Sequence, residues 1–269
     1  MAQHSSADRW ERGSPYERYV GRWSRQLAPR FLDWLDVPHG KRWLDVGCGT
    51  GALTAAILER CAPAAVFGVE PSEGFLTAAG EQLAGAVTLH QGTATAIPLP
   101  DAAVDVVVSG LVLNFVPDQP AALREMARVS GPGGLIAAYV WDYAGRMELM
   151  RQFWDAAAAL DPAAADLDEG VRFPVCRPAA LEKLFVGSGL AAVEVTGLEI
   201  ATPFKDFDDY WQPFLGGQGP APAYAMSLDE PARGRLRDRL RSRLPVAADG
   251  SIALAARAWA ARGVVPAAA

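Results

Sequence analysis

The chain has 269 residues, 51% of them hydrophobic, and a formal net charge of −6. The composition can supply a full hydrophobic core, and the length fits one large domain or two small ones. The acidic balance disfavours electrostatic capture of nucleic acid, and no apolar run is long enough to predict a membrane span or a secretory signal. We therefore expect a cytoplasmic protein with no nucleic-acid partner and no integral membrane contact, and the oligomeric state stays open.

Residues 1–40 are predicted to form a helical extension, since Leu27, Phe31, Trp34 and Leu35 recur at helical spacing. From residue 42 to about 140, helical patterns alternate with short apolar runs, namely RWLDVG, AAVFGVE, AVTLHQG, VDVVVSG and LIAAYVW. Runs this apolar are typical of strands that are buried on both faces. The alternation predicts an α/β fold, a doubly wound, Rossmann-like and mostly parallel sheet with helices on both faces.

Three helices of this core have predictable starts. One follows Gly51 directly, and a second begins at Ser72, a residue type that caps helices, with Leu76 facing inward. A third begins near Asp118 and Pro120 and ends at the glycines of residues 131–134. Each helix therefore begins where a connection between parallel strands needs it.

Beyond residue 141 the pattern loosens and then recovers. A helix is predicted over 178–186, a strand over AAVEVTGLEI and a charged surface helix over LDEPARGRLRDRLRSRL. The run SIALAARAWAARG fits a strand or a helix by periodicity alone. The predicted parts of one composite domain are an extension or lid over 1–40, a cofactor-binding core over 41–142, lid insertions for the acceptor over 143–177 and 203–248, and the rest of the core sheet over 178–202 and 249–262.

The segment RWLDVGCGTGALT carries three glycines, Gly47, Gly49 and Gly51, between the first strand and the first core helix. Glycines here let the backbone approach a ligand closely, and open α/β sheets bind ligands beyond the carboxyl ends of their strands. Glu70 ends the second strand, where an acid commonly holds ribose hydroxyls. The spacing of the glycines also fits the turn of a dinucleotide-binding site. It therefore predicts a nucleoside site without fixing which cofactor binds.

Asp45 decides between the cofactors, because it lies two residues before the first glycine. A carboxylate beside a pyrophosphate would oppose its binding by roughly 1–4 kcal/mol at about 4 Å. S-adenosylmethionine has no phosphate and carries a sulfonium and an ammonium, so a carboxylate favours it, and the N–H groups of the turn are expected to remain available. The alternative is that Asp45 only accepts backbone hydrogen bonds within the turn.

The segment LDVGCGTGALT resembles motif I of class I S-adenosylmethionine-dependent methyltransferases. Three further segments follow in the order and spacing of that family, namely GVEPSEGFLTAA, GTATAIPLPDAAVDVVVSGLVLNFV and REMARVSGPGGLIAAYVW. The likeness covers residues 42–141, and over this span the chain is similar to the broad subgroup that includes quinone-biosynthetic enzymes. It implies methyl transfer from S-adenosylmethionine to a small, partly apolar acceptor, with S-adenosylhomocysteine as product.

The resemblance also implies roles for individual residues. Gly47, Cys48, Gly49 and Gly51 would line the methionine and ribose, with Asp45 near the amino acid end and Glu70 at both ribose hydroxyls. Further contacts would come from Pro71 and Ser72 at the adenine, Thr93 and Ala94 at its amino group, and Ser109, Gly110 and Leu111 under the transferable methyl. Thr93 departs from the aspartate that the family often has, so adenine recognition would depend more on the Ala94 backbone.

Catalytic residues cannot be assigned from the motifs. Displacement at an activated methyl group can depend on orientation and water exclusion alone. His4, His39 and His90 are poorly placed for a base, whereas Asp142 and Tyr143 leave the carboxyl end of the fifth strand and are weak candidates. A structural role for each is equally open, and no metal site is predicted, because the three cysteines form neither a CxxC pair nor an even set.

The segment GRWS before the first strand provides one more candidate. Arg22 could pair with the carboxylate of the cofactor, with Tyr16 or Tyr19 nearby, if this helix folds over the site. The predicted lid segments carry many aromatic residues, which indicates an apolar acceptor pocket or ordinary core packing.

Two other functions remain open. A nicotinamide-dependent oxidoreductase fits the glycine spacing, and a non-catalytic S-adenosylmethionine-binding protein fits the same motifs, because a fold does not fix a function.

Overall fold

The computed structural model describes residues 17–217 and 219–267. His4 and Tyr16 lie outside these residues. Seven strands are described, namely β1 (Arg42–Val46), β2 (Ala65–Glu70), β3 (Thr88–Gln91), β4 (Val106–Gly110), β5 (Leu135–Trp141), β6 (Ala191–Phe204) and β7 (Ile252–Val264). The helices of the described chain are α1 (Arg22–Leu35), α2 (Ala52–Arg60), α3 (Glu73–Leu83), α4 (Gln119–Ser130), α5 (Glu148–Leu160), α6 (Glu169–Arg172), α7 (Pro178–Gly187), α8 (Phe207–Trp211), α9 (Pro220–Ser227) and α10 (Glu230–Arg243).

The strands form one sheet in the order β3-β2-β1-β4-β5-β7-β6. Strands β1 to β5 are parallel wherever they pair, with β1 between β2 and β4. Strand β7 runs antiparallel to β5, because Val265 N–H donates to Gly134 O while Asp142 N–H donates to Arg257 O. The predicted fold class, a mostly parallel Rossmann-like sheet with flanking helices, is confirmed.

The order reverses at β1, since β2 and β3 lie on one side of it and β4 and β5 on the other. Ligands of open α/β sheets bind at such a reversal, beyond the carboxyl ends of the strands. The glycine turn that follows β1 therefore lies where the topology predicts a ligand.

The contacts divide the chain into two compact units. Unit 1 contains, among the described residues, 17–23, Trp141–Pro174 and 199–258 apart from residue 218. Unit 2 contains Ser24–Val140, Val175–Leu198 and 259–267. The residues of the glycine turn and the ends of β1 to β4 all belong to unit 2.

Most predicted elements of unit 2 form as expected. Helix α2 follows Gly51 directly and buries Leu53 and Ile57, and Asp118 caps α4 by accepting a hydrogen bond from Ala121 N–H. Ser72 caps α3, but the buried residue of its first turn is Phe75, whereas Leu76 is only half-buried. Inward positions near a helix start depend on how the chain enters the helix, which the periodicity does not determine.

The later segments form as follows. The charged stretch is helix α10, with Leu236 and Leu240 buried, and AAVEVTGLEI lies in β6, as predicted. The ambiguous run after residue 250 is strand β7, whose residues alternate between more and less buried positions. Within the described residues, no helix combines the length and the apolar character that crossing a bilayer requires.

Candidate cofactor-binding site

The turn after β1 is closely packed against the segment that follows β4. Gly47 has a φ of 74°, and a Cβ atom placed on it would lie 2.6 Å from Cγ1 of Val112. A φ in this range strains residues other than glycine, and the contact distance excludes any side chain. Gly51, with a φ of 91°, then begins helix α2. The sequence requires glycine here for two separate reasons, backbone conformation and close approach.

The N–H groups of this turn are largely used within the protein. Gly47 and Cys48 donate to Val69 O at 2.7 and 3.2 Å, Gly51 donates to Cys48 O, and Gly49 donates to the side chain of Glu70. The expectation that these N–H groups remain available is therefore wrong for these four residues. A turn whose donors are already paired is a poor cradle for a phosphate, which needs several free N–H groups.

Glu70 is held at the carboxyl end of β2 by two backbone donors. Its Oε2 accepts from Gly49 N–H at 3.1 Å and its Oε1 accepts from Ser72 N–H at 3.0 Å. The side chain is 6% exposed, and burial raises its pKa while the two N–H groups oppose that rise. Each carboxylate oxygen keeps further acceptor capacity, so the geometry suits a pair of adjacent hydroxyl groups.

Asp45 is the fourth of the five residues of β1 and is 1% exposed. Its Oδ2 accepts a 2.7 Å hydrogen bond from Thr54 Oγ1, on the first turn of α2. Burial raises the pKa of Asp45 to about 7, opposed by the Thr54 hydrogen bonds and reinforced by Glu70. Asp45 thus accepts hydrogen bonds from the helix that follows the turn, and its role as a nearby negative charge stays a prediction.

The end of β4 is a strained segment. Leu111 has a φ of +62°, a conformation that costs a residue with a side chain about 1–3 kcal/mol, and its N–H donates to Tyr139 O at 2.8 Å. A Cβ on Gly110 would lie 2.6 Å from the hydroxyl oxygen of Tyr139. Ser109 is buried and donates to Val46 O, so its hydroxyl ties β4 to β1. Strain of this kind is common at ligand sites.

Asn114 is a candidate that was not predicted. It lies in a short 3-10 turn after β4, Leu113–Phe115, and is 5% exposed. Neither its amide nitrogen nor its amide oxygen has a hydrogen-bond partner within the described part of the chain. Since most buried amides are paired, this one is suited to a ligand that accepts and donates. A lone asparagine in VLNFV was a weak signal in the sequence.

The other predicted contacts are more varied. Thr93 is exposed and its hydroxyl lies 3.3 Å from that of Thr95, while Ala94 is half-buried. Pro71 accepts from Gln91 Nε2 through its carbonyl. Cys48 is buried, its sulfur would lie 3.0 Å from a Cβ on Gly68, and burial raises the pKa of its thiol, so it is unreactive.

Three predicted residues belong to unit 1. Arg22 Nη1 pairs with Asp209 Oδ1 at 2.8 Å, and its guanidinium lies 4.3 Å from the ring centre of Trp23. Asp142 pairs with Arg257 at 2.7 Å and accepts from Arg146 N–H, which gives it a structural role in the turn after β5. Tyr143 is buried with its ring 6.0 Å from that of Phe173. The proposed cofactor contact of Arg22 and the catalytic role of Tyr143 stay predictions.

Comparisons with known proteins match the part of the chain that contains the glycine turn. Residues 44–138 match the family described as a methyltransferase domain. The chain is 37% identical over 134 residues, 48% of its length and 55% of the relative, to a demethylmenaquinone methyltransferase of Geobacillus stearothermophilus. It is 38% identical over 112 residues, 42% of its length and 43% of the relative, to a malonyl-[acyl-carrier protein] O-methyltransferase of Serratia marcescens.

Among solved structures, a phosphoethanolamine N-methyltransferase 2 of Haemonchus contortus in complex with S-adenosyl-L-methionine has a TM-score of 0.57 at 16% identity, covering 94% of this chain and 56% of that one. At this identity the likeness shows the fold alone. The chain spans about half the length of the curated relatives it matches. The matched residues contain the glycine turn, Glu70 and the end of β4, and over them the chain is similar to a methyltransferase domain.

Proposed function

We propose that the protein transfers a methyl group from S-adenosylmethionine to a small, partly apolar acceptor. The observation that carries this proposal is the Glu70 carboxylate, which two backbone N–H groups hold beside the glycine turn. A carboxylate accepts hydrogen bonds only, so it suits the two ribose hydroxyls of a nucleoside.

The residues around Glu70 suit the rest of the cofactor. The turn has few free donors and a buried carboxylate at Asp45, which favours a cationic ligand over a pyrophosphate. In this proposal Asp45 attracts the amino acid end, the Asn114 amide accepts from its ammonium or donates to its carboxylate, and Thr93 and Ala94 border the adenine. Gly47, Cys48 and Gly49 allow close approach of the backbone.

The cofactor supplies a methyl group on a positively charged sulfur, which is already activated for displacement. The protein then has to orient the acceptor and exclude water, and both effects lower the barrier without a strong base. Ser109, Gly110 and Leu111 would form the floor under the methyl group, kept in place by the Ser109–Val46 and Leu111–Tyr139 hydrogen bonds. A rigid floor is what orientation requires.

The acceptor would be recognised by the lid segments, 143–177 and 203–248. In unit 1 these segments bury an aromatic cluster in which Phe153 stacks on Phe214 at 4.5 Å and Trp154 lies 5.7 Å from Tyr224. Aromatic walls bind flat, apolar molecules. The two relatives named above act on unlike acceptors, so the identity of the acceptor has to come from experiment.

Thermal shift with S-adenosylhomocysteine and with NADH tests the cofactor. We expect stabilisation by S-adenosylhomocysteine and none by NADH. Stabilisation by NADH alone would replace this proposal with an oxidoreductase. Turnover on a panel of phenols, quinols and carboxylates then separates an enzyme from a protein that only binds the cofactor, because tight binding with no methylated product would favour the second.

A further inference from the structure

The first part of the loop between β3 and β4, residues 92–101, carries Thr93 and Ala94, which border the adenine in the proposed function. Ile97 is buried, at 4% exposed, whereas the other residues of this segment are exposed or half-buried. Ala96 N–H donates to Thr93 O at 3.1 Å, which closes a β-turn around Ala94. A turn on so exposed a segment depends on outside contacts to keep one conformation.

Arg128 of α4 holds this loop with every donor of its guanidinium. Its Nε and Nη2 donate to the two carboxylate oxygens of Glu125, one turn earlier on the same helix, at 2.8 and 2.9 Å. Nη2 also donates to Ile97 O at 3.0 Å, and Nη1 donates to Leu99 O at 2.9 Å and to Asp101 Oδ1 at 2.7 Å. A guanidinium has five N–H donors, and these five hydrogen bonds use all of them.

Glu125 adds a second contact to the same part of the loop. Its Oε2 accepts from Ile97 N–H at 3.1 Å, so Glu125 and Arg128 together bind both backbone groups of Ile97. The hydrogen bond from Arg128 lowers the pKa of Glu125, which keeps the carboxylate charged at neutral pH. A bidentate pair of opposite charges fixes direction as well as distance. The backbone at Ile97 is therefore anchored to one turn of α4.

Pro98 connects this anchor to the other end of the turn. A Cβ atom on Gly92 would lie 2.9 Å from Cδ of Pro98, so the residues on either side of the turn are in close contact. Gly92 N–H donates to Glu70 O at 3.3 Å, the residue whose carboxylate is proposed for the ribose. The turn is therefore fixed at one end by the end of β2 and at the other by the anchored backbone.

Ala94 is the residue at which a fixed backbone has a chemical consequence. Adenine presents an amino donor at C6 and an acceptor at N1, and the C=O and N–H of one residue can match both. Neither of these two groups of Ala94 is hydrogen-bonded within the described residues. Thr93 offers only a hydroxyl, which lies 3.3 Å from that of Thr95. Recognition by a backbone depends on where the loop is held, because no side-chain rotation can adjust it.

We propose that Glu125 and Arg128 are positioning residues for adenine recognition, holding the loop so that the backbone of Ala94 meets the base, an inference that rests on the proposed function. Neither side chain contacts the cofactor in this proposal. Their removal should weaken recognition of the base while the carboxylate of Glu70 still binds the ribose. A role in stability alone would instead weaken every nucleoside to the same extent.

The test compares S-adenosylhomocysteine with S-inosylhomocysteine by calorimetric titration of the full chain. The two compounds differ at the edge of the base, since hypoxanthine has a carbonyl at C6 and an N–H at N1, the reverse of adenine. We expect the unchanged protein to prefer S-adenosylhomocysteine about tenfold or more, because the other base leaves both backbone groups of Ala94 unpaired. Equal affinity for the two would overturn the inference alone, whereas binding of neither would remove the proposed function and the inference with it.

Three variants locate the preference. Arg128→Leu removes all five hydrogen bonds, and Arg128→Lys keeps the charge without the planar fork of donors. In Glu125→Gln an amide nitrogen replaces one of two accepting oxygens. Each variant should bind S-adenosylhomocysteine about fivefold or more weakly and S-inosylhomocysteine within about twofold of the unchanged protein, so the preference is largely lost.

Arg124→Leu is the matched control, because Arg124 is an exposed arginine on the same helix, and it should keep the preference. Should Arg128→Leu fail to fold, Arg128→Lys and Glu125→Gln, which retain part of the hydrogen bonds, provide the comparison. A full preference for S-adenosylhomocysteine in a variant that unfolds cooperatively in urea, or an equal loss of affinity for both compounds, would contradict the inference.

Discussion

Thr54 donates a 2.7 Å hydrogen bond to the buried Asp45, and this pair links the first strand to the helix that opens behind the glycine turn. The relationship joins stability to cofactor binding, because the same carboxylate that the helix needs is the charge expected to attract a cationic ligand. Removing the hydroxyl alone tests both roles without touching Asp45.

We expect Thr54→Val to lower the free energy of unfolding by about 1–3 kcal/mol, since a buried carboxylate loses a partner. The hydrogen bond lowers the pKa of Asp45, which burial has raised to about 7, so its loss raises that pKa further. Cofactor affinity should rise with pH as Asp45 ionises, and in the variant this rise should move to higher pH. Titration with S-adenosylhomocysteine from pH 5.5 to 8.5 measures the shift.

Thr77→Val is the control for that experiment, because Thr77 is exposed and its hydroxyl donates only to Glu73 O. It should leave both stability and the pH profile unchanged. An identical profile in Thr54→Val and the unchanged protein would show that Asp45 does not contribute its charge to binding.

Gly47→Ala should be much more damaging than Gly40→Ala. The two glycines have nearly equal φ values, 74° and 77°, but a Cβ on Gly40 meets nothing within 4 Å. The difference in unfolding free energy between the variants therefore isolates the contact with Val112, and we expect about 1–3 kcal/mol. Adding Val112→Ala to Gly47→Ala should restore part of the loss. Equal effects at Gly40 and Gly47 would mean that the close approach is unimportant.

Asn114→Leu should separate stability from binding. The variant removes two buried polar atoms that have no partner in the described chain, so urea unfolding should show equal or greater stability. Affinity for S-adenosylhomocysteine should fall at least severalfold if the amide holds the cofactor. A variant that is less stable and binds normally would show that the amide serves the fold instead.

Glu169→Gln should change how stability depends on pH. Burial raises the pKa of Glu169 from 4.5 to about 7, so the folded protein holds a proton that the unfolded chain releases. The stability that this proton provides is complete below about pH 4.5 and is lost as the pH rises through about 7. The glutamine variant lacks this loss. The free energy of unfolding of the variant minus that of the unchanged protein should therefore increase from pH 5 to pH 8, as measured by urea unfolding.

Much of the candidate cofactor site could be predicted from the sequence, because its requirements are local. The strand, the three glycines and the helix are adjacent in the chain, and Glu70 closes the next strand at a characteristic distance. Asp45 could also be singled out from the sequence, since a carboxylate is unfavourable beside a turn that binds a pyrophosphate. Its partner Thr54 could not, because a hydrogen bond from strand to helix depends on how the two elements meet.

The rest of the molecule depends on packing that no local pattern encodes. The run that became β7 alternates alanine with larger residues, so its periodicity was ambiguous, and pairing with β5 resolved it. Glu169 lies among alanines and acids in a segment with no clear periodicity, where a carboxylate is usually exposed. Only the fold reveals that this one is buried against Trp154 and that Asp142, a candidate from its position, is paired with Arg257.

The affinity of Glu70→Ala for S-adenosylhomocysteine is the most direct test of the whole account. Calorimetric titration should show a loss of about tenfold to a hundredfold, while Glu73→Ala, an exposed glutamate three residues away, should bind normally. Unchanged affinity in Glu70→Ala, in a protein that unfolds as cooperatively as the parent, would contradict the proposed nucleoside site and the methyl transfer derived from it.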